Sequence, residues 1–340
     1  MAKRKGKTVI LDTKPSIIGN AAAVGKKESE GPLGKEFDKV YEDTTLGEEC
    51  WEKAESGLLK TAVCTAIEKA GKALYEIDVA YSGDLLNQCI GSTFGLRELK
   101  LPFCGLYGAC STMALSLIQA SLAIESGGFD CTLAATSSHF CSAEKQFRYP
   151  LEYGGQRPPT AQWTVTGSGA VVLERKKGDY PYIDSIHIGT IQDLGVTDAN
   201  NMGAAMAPAA RSTISDFLRD TSTGPSDYDL ILTGDLGAVG SELLKELLMK
   251  EDGIDISAVH KDCGLLIYDR EAQDVHSGGS GCGCSASVLC SYILNGMRKG
   301  EYGNILFIAT GALMSPVSSR EGESIPGIAH LVNIRRERSK

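Results

Sequence analysis

The chain has no apolar run long enough to cross a bilayer. Its longest, Met113 to Ile124, is broken by Ser116, Gln119 and Ser121, and a span needs about 20 largely apolar residues. The segment reads as a core helix instead. There is no basic excess either: 34 Lys and Arg face 43 Asp and Glu, a net charge of −9. That excludes a general nucleic-acid binder, whose surface has to neutralise phosphates. Histidine is scarce at 5 residues. His187, His260, His276 and His330 fall in no cluster and read as structural or exposed. Cysteine is plentiful at 11, yet the C-x-C of Cys282 and Cys284 has no second pair at zinc-finger spacing, which speaks against a structural zinc. An odd cysteine count with no signal peptide points to free thiols in a reducing compartment. No solenoid period of roughly 20–50 residues runs through the chain.

A much longer repeat does. Asp78-Val-Ala-Tyr-Ser-Gly-Asp-Leu85 matches Asp229-Leu-Ile-Leu-Thr-Gly-Asp-Leu236, and Gly108-Ala-Cys-Ser111 matches Cys282-Gly-Cys-Ser285. A long apolar helix follows each cysteine segment. Cys131 to Thr136 and Phe307 to Gly311 come next as strands. The spacing is about half the chain, which divides it into halves 1–175 and 176–340. Apolar residues recur at helical spacing from Leu58 to Ala70. Strands are expected at Thr8–Leu11, Val79–Tyr81, Phe103–Tyr107, Asp130–Ala135 and Gly167–Glu174. In the second half they fall at Tyr182–Ile188, Leu230–Leu232, Leu265–Tyr268, Ile305–Ala309 and Ala329–Ile334. Helices are expected at Arg211–Leu218, Glu242–Met249 and Ser285–Met297, and residues 26–50 read as loop. Alternating strands and helices predict an α/β protein with largely parallel, doubly covered sheets. The helices after Cys110 and Cys284 are apolar nearly all round, so they are expected to lie buried together between two sheets.

The ends are basic. Lys3, Arg4, Lys5 and Lys7 open the chain, and Arg335, Arg336, Arg338 and Lys340 close it, leaving a more acidic body between. Such tails are either solvated ends or attractors for anionic lipid.

Cys110 follows a short strand and the small pair Gly108-Ala109, and it opens a helix. Strand, tight turn and helix make a nucleophile elbow, in which the first helical N–H groups and the helix dipole favour a thiolate. The alternative is a small buried core residue.

Gly108-Ala-Cys-Ser111, Gly167-Ser-Gly-Ala-Val-Val-Leu173 and Gly278-Gly-Ser-Gly-Cys-Gly-Cys-Ser285 together resemble the thiolase and ketoacyl synthase superfamily, in this order over nearly the whole chain. The resemblance implies a duplicated five-layer αβαβα fold with two central buried helices, and a homodimer. It also implies a general base and oxyanion donors on two loops of the second half. Thr233-Gly-Asp-Leu-Gly237 stands at the first of these loops without a histidine. Thiolases carry Gly-His-Pro-x-Gly at the second, where this chain has Gly279-Ser-Gly-Cys-Gly283, so Ser280 occupies the histidine position. The nucleophile position survives without its acid–base partners, which argues for a fold reused for binding.

Within the superfamily the chain is similar to the stage V sporulation protein AD family. The elbow Gly-Ala-Cys-Ser-Thr-Met-Ala, the segment Ser138 to Pro150, and Gly-Asp-Leu in both halves carry that likeness. It implies non-enzymatic binding of dipicolinic acid, pyridine-2,6-dicarboxylate, free or as its calcium chelate, and its loading into the developing spore. It also implies a peripheral place at the spore inner membrane beside other membrane proteins of the same operon. No cofactor is implied, and no metal site beyond calcium carried with the ligand.

A flat ring with two carboxylates needs donors at its edges and an apolar slot. The expected site is the cleft over Cys110, with Asp84, His139, Ser280 and Cys282 on its walls and the N–H groups around Cys110 and Ser111 toward a carboxylate. Asp84 and Asp235, in the repeated Gly-Asp-Leu turns, are either a pair near the pseudo-twofold axis or turn residues bonding their own backbone. His139 either donates to the ligand or is a satisfied core histidine. Arg148 and Arg157 bracket a segment that is either a carboxylate clamp or a dimer-contact loop, and the latter is preferred. Two other functions stay open: a condensing enzyme that uses Cys110 on acyl-CoA or acyl-carrier substrates, and a structural subunit with a vestigial pocket.

Overall fold

Small side chains without polar–apolar alternation fill the innermost strands of the protein, a computed structural model of which describes residues 2–148, 157–176 and 178–336. Such strands are covered on both faces. In chain order the strands of the two main sets are β1 (Ser16–Gly25), β2 (Val79–Gly83), β3 (Phe103–Gly105), β4 (Cys131–Ser138) and β5 (Gly167–Glu174), then β6 (Tyr182–His187), β7 (Leu230–Thr233), β8 (His260–Asp262), β9 (Asn304–Ala312) and β10 (Gly327–Arg335). The first five lie side by side as β1-β5-β4-β2-β3 and the second five as β6-β10-β9-β7-β8, the same order twice. In each set the three strands at the outer end run parallel, β3 and β4 on β2, β8 and β9 on β7. The remaining pairs are antiparallel. The sets meet edge to edge at Ser16 and Tyr182.

Seven helices complete the layers: α1 (Trp51–Lys69), α2 (Ile90–Arg97), α3 (Thr112–Glu125), α4 (Phe140–Arg148), α5 (Met202–Thr221), α6 (Gly237–Leu247) and α7 (Cys282–Val288), the last continued to Lys299 through a wide turn. α3 packs on β2 and β4 of one set and on β9 and β10 of the other. α7 packs on β1, β4 and β5 and touches α3. α1 covers the outer face of the first set, and α5, with α6 packed on it, that of the second. The result is the duplicated five-layer α/β fold that the resemblance implies. Met113, Leu117, Ile118, Val288 and Leu289, all fully buried, form the central layer. Two glycines set how closely that layer approaches the sheet. A Cβ on Gly169 would stand 2.4 Å from the Ala286 carbonyl oxygen, and one on Gly283 2.3 Å from that of Gly167. Any side chain at either position would push α7, and with it the Ser280–Cys282 turn, off β5.

Some local expectations fail. The expected strand Leu265–Tyr268 is absent: β8 ends at Asp262, and Cys263–Leu266 is a helical turn. A four-residue apolar run is buried in either conformation, so periodicity cannot decide it. Residues 26–50 are not loop throughout. Lys26–Ser29 is a short helix, and Lys39–Tyr41 pairs in parallel with the end of β1. Helix α5 starts nine residues before Arg211, at Met202.

Candidate functional site

The chain leaves the edge strand β3, turns at Gly108, and places Ala109 at a φ of +50°, in the left-handed region that side chains disfavour. A tight turn over Ala109–Ser111 leads into α3. That strained step presents Cys110, 5% exposed, to a narrow slot of about 60 Å³. Leu85, Phe147, Met202, Ala312 and Met314 supply apolar lining, with Ser280 beside Cys110. Tyr107 and Glu144 also line it. Among the described residues, no lysine, arginine or histidine does so. The Ser111 N–H is already donated to the Gly108 carbonyl at 3.0 Å, so it is not available to a carboxylate as expected.

Asp235 is the decisive neighbour. It sits on the turn after β7, where the superfamily resemblance places the first catalytic loop. Thr310 Oγ1 donates to its Oδ1 at 2.8 Å, and the Gly281 N–H and Ser280 Oγ donate to its Oδ2 at 2.9 and 3.3 Å. The Cys110 thiol and the same carboxylate influence each other electrostatically. Burial pushes Asp235 up to about 6, restrained by these neighbours. Burial also pushes the Cys110 thiol well above its ordinary value, and the Asp235 charge pushes it further. Near neutral pH the pair is therefore a carboxylate beside an intact thiol. The helix N-terminus at Cys110 does not outweigh a desolvated anion in contact.

The structure separates the expected wall residues. Cys110 and Ser280 line the slot. Cys282 lies behind it, in one small apolar cluster with Cys110, Leu85 and Ala143, its thiol donated to the Ser137 carbonyl at 2.9 Å. Cys284, which the repeat aligns with Cys110, faces the Gly234 carbonyl in the main core. Asp84 is not on the wall. Its Oδ1 accepts from the Leu86 N–H at 2.9 Å and its Oδ2 from the Ser92 N–H at 2.7 Å, a local turn that also holds the start of α2. The two Gly-Asp-Leu turns thus diverge, one bonding its own backbone and the other reaching the cysteine. His139 is not on the wall either. Its Nδ1 accepts from the Cys141 N–H at 3.1 Å, so its Nε2 carries the proton and donates to the Thr44 carbonyl at 2.8 Å. It is the satisfied core histidine. Arg157 lies over the Trp163 ring at 4.8 Å. Tyr149, Tyr153, Gly154 and Gly155 fall outside the described residues.

Behind the slot lie further buried carboxylates. Asp262 accepts from Thr233 Oγ1 and from the Leu236 and Gly237 N–H groups, and burial raises it to about 7. Glu55 accepts from Ser137 and Ser142. Burial and then the Asp84 charge raise it to about 8. A carboxyl raised on folding contributes stability that is complete below its unfolded value and is lost as pH rises through the folded one. The buried histidines act oppositely. Burial lowers His139 and His187, and His260 and His330 fall to about 4. Their contribution is present above about 6.5 and lost on acidification. Above about pH 7.5 the histidine contribution is complete, while Glu55 still titrates. Stability should therefore fall between about pH 7.5 and 8.5 by about 1 kcal/mol. Scanning calorimetry should find a lower Tm at about pH 8.5 than at about pH 7.5, whereas a flat or rising Tm would contradict these assignments.

The family model for stage V sporulation protein AD (SpoVAD) matches residues 5–335. The stage V sporulation protein AD of Bacillus subtilis (strain 168) is 47% identical over 329 residues, covering 96% of each chain. The chain belongs to the SpoVAD family. Among solved structures, cerulenin-bound OleA of Xanthomonas campestris matches with a TM-score of 0.61 at 13% identity, over 98% of this chain and 99% of its own. The 3-oxoacyl-[acyl-carrier-protein] synthase III of Aquifex aeolicus VF5 matches with a TM-score of 0.57 at 13% identity, over 94% and 99%. At such identity these likenesses show the fold alone. For this SpoVAD family member the fold is thus the thiolase-like one. The residue that sequence reasoning undervalued is Asp235. Its signal was the missing histidine on the loop it occupies.

Proposed function

We propose that this family member binds pyridine-2,6-dicarboxylate in the slot over Cys110 without transforming it, and so supports its uptake into developing spores. The observation that carries the non-enzymatic reading is the lining of the Cys110 slot: Ser280 stands where the resemblance implies a histidine, and among the described residues no histidine lines the slot. Family membership supports the sporulation setting. The lining supports a particular form of the ligand. Asp235 beneath the slot repels a free dianion, and among the described residues no lysine, arginine or histidine lines the slot. The calcium chelate arrives neutralised. Calcium then enters with the ligand, held by its two carboxylates and ring nitrogen. Met202 and Met314, flexible and polarizable, are suited to give way as a rigid ring enters.

The protein acts at the spore inner membrane, peripherally and as a homodimer, beside membrane proteins of the same operon. No described helix is long and apolar enough to cross a membrane. The basic ends contribute less to lipid attachment than their sequence implies. Lys7 pairs with Asp216 at 2.8 Å and Arg336 with Asp179 at 2.8 Å, and the exposed cations left near the N-terminus are Lys3, Arg4 and Lys5.

Calorimetric titration tests the ligand. Pyridine-2,6-dicarboxylate should bind saturably, and at least tenfold more tightly with equimolar calcium than with a chelator present. Benzoate and pyridine-2-carboxylate should give no comparable isotherm. No heat from pyridine-2,6-dicarboxylate at any calcium level would overturn the reading, as would turnover of acyl-CoA through a Cys110 adduct.

A further inference from the structure

We infer that a second site, a cationic groove on the outer surface of the first half, binds small planar anions of the aromatic carboxylate class. The groove lies between α1, α2 and the segment 41–48, and encloses about 520 Å³, within the roughly 300–1,000 Å³ typical of ligand sites. Its charged residues are Lys53, Lys60 and Arg97 against Glu48 and Glu98, with Lys53 paired to Glu49 at the rim at 3.6 Å. In a chain of net charge −9 a net-positive hollow is the exception. The Cys110 slot is lined by one carboxylate and no cation. A hollow at Lys5 and Arg335 is balanced by Asp184 and Asp227, and another at Lys100 by Asp78.

The groove also offers the ring surfaces that a planar anion needs. Arg97 lies over the Phe94 ring, its guanidinium carbon 4.4 Å from the centroid. Stacking covers one face of the guanidinium and leaves its N–H donors in their own plane, where a carboxylate is accepted in bidentate fashion. Among the described residues Arg97 has no carboxylate within ion-pair distance. Lys60 is paired with Glu98 and can exchange that partner for a second ligand carboxylate. Tyr41 presents another ring, its hydroxyl tied to Thr61 Oγ1 at 2.7 Å. Two glycines shape the base. A Cβ on Gly95 would approach the Ser56 carbonyl oxygen to 2.9 Å, so the close crossing of α1 and α2 needs glycine there, and Gly57 adds no side chain to fill the space.

This inference does not depend on the Cys110 slot, and its test separates the two sites. The probe is benzene-1,3-dicarboxylate, which has the carboxylate spacing of pyridine-2,6-dicarboxylate but no ring nitrogen to complete a calcium chelate. Titrated at low salt into the full chain, it should bind saturably and weaken as salt is raised. Arg97→Gln should weaken it at least tenfold and Arg97→Lys by less. Cys110→Trp should leave it unchanged. Failure of the wild-type chain to bind the probe, binding that survives Arg97→Gln, or loss of binding in Cys110→Trp would each overturn the proposal.

Discussion

Asp235→Asn should accelerate alkylation of Cys110 by iodoacetamide about tenfold or more at pH 8. The carboxylate at Asp235 is the group that, after burial itself, most strongly holds the Cys110 thiol protonated. Asparagine keeps the size and removes the charge. One pK unit recovered by the thiol is a tenfold gain in thiolate, and an anion in contact within a desolvated site is worth at least that. The gain should vanish below pH 6, where Asp235 in the wild-type protein is itself protonated. Cys50, Cys64 and Cys104 are exposed and also react, so the rate has to be followed on the Cys110 peptide by mass spectrometry. Unchanged or slower modification of that peptide would show that Asp235 does not silence the cysteine.

The architecture was legible because it is written in two long-range regularities. The Gly-Asp-Leu turns and the cysteine-led apolar helices recur half a chain apart, and the all-round apolar character of Met113–Ile124 can be satisfied only between layers. Strand β1 escaped notice although every residue in it is buried. Its Gly-Asn-Ala-Ala-Ala stretch has low strand propensity, and its place is dictated by neighbours rather than by its own side chains. Helix α2 was missed for a similar reason: it is short, and two of its eight residues are glycine.

At the site, the sequence located the elbow and the loss of histidine at Ser280, but not what replaced the base. Asp84 and Asp235 sit in the same Gly-Asp-Leu context, and no local pattern distinguishes an aspartate bonded to its own turn from one reaching across to Cys110. The difference lies in the donors that long-range packing brings up: Thr310 and Gly281 for Asp235, Ser92 for Asp84. His139 shows the converse. Its type and position suited ligand binding, and only the tertiary contact with Thr44 reveals that both its ring nitrogens are already engaged.

Cys110→Trp should abolish binding of pyridine-2,6-dicarboxylate. The slot holds about 60 Å³, on the order of a few waters. An indole in place of a thiol exceeds that volume and must occupy the space over the elbow. Because overpacking costs roughly 1–3 kcal/mol, the variant has to be checked for a cooperative melt. Ser280→Trp, which enters the same slot from the α7 side, gives an independent block should the first variant fail to fold. The deciding measurement is a side-by-side calorimetric titration of calcium pyridine-2,6-dicarboxylate into the wild-type chain and a folded blocked variant. A saturable isotherm for the wild type and none for the variant is the expected result. Equal affinity in both would place the ligand elsewhere and contradict binding over Cys110.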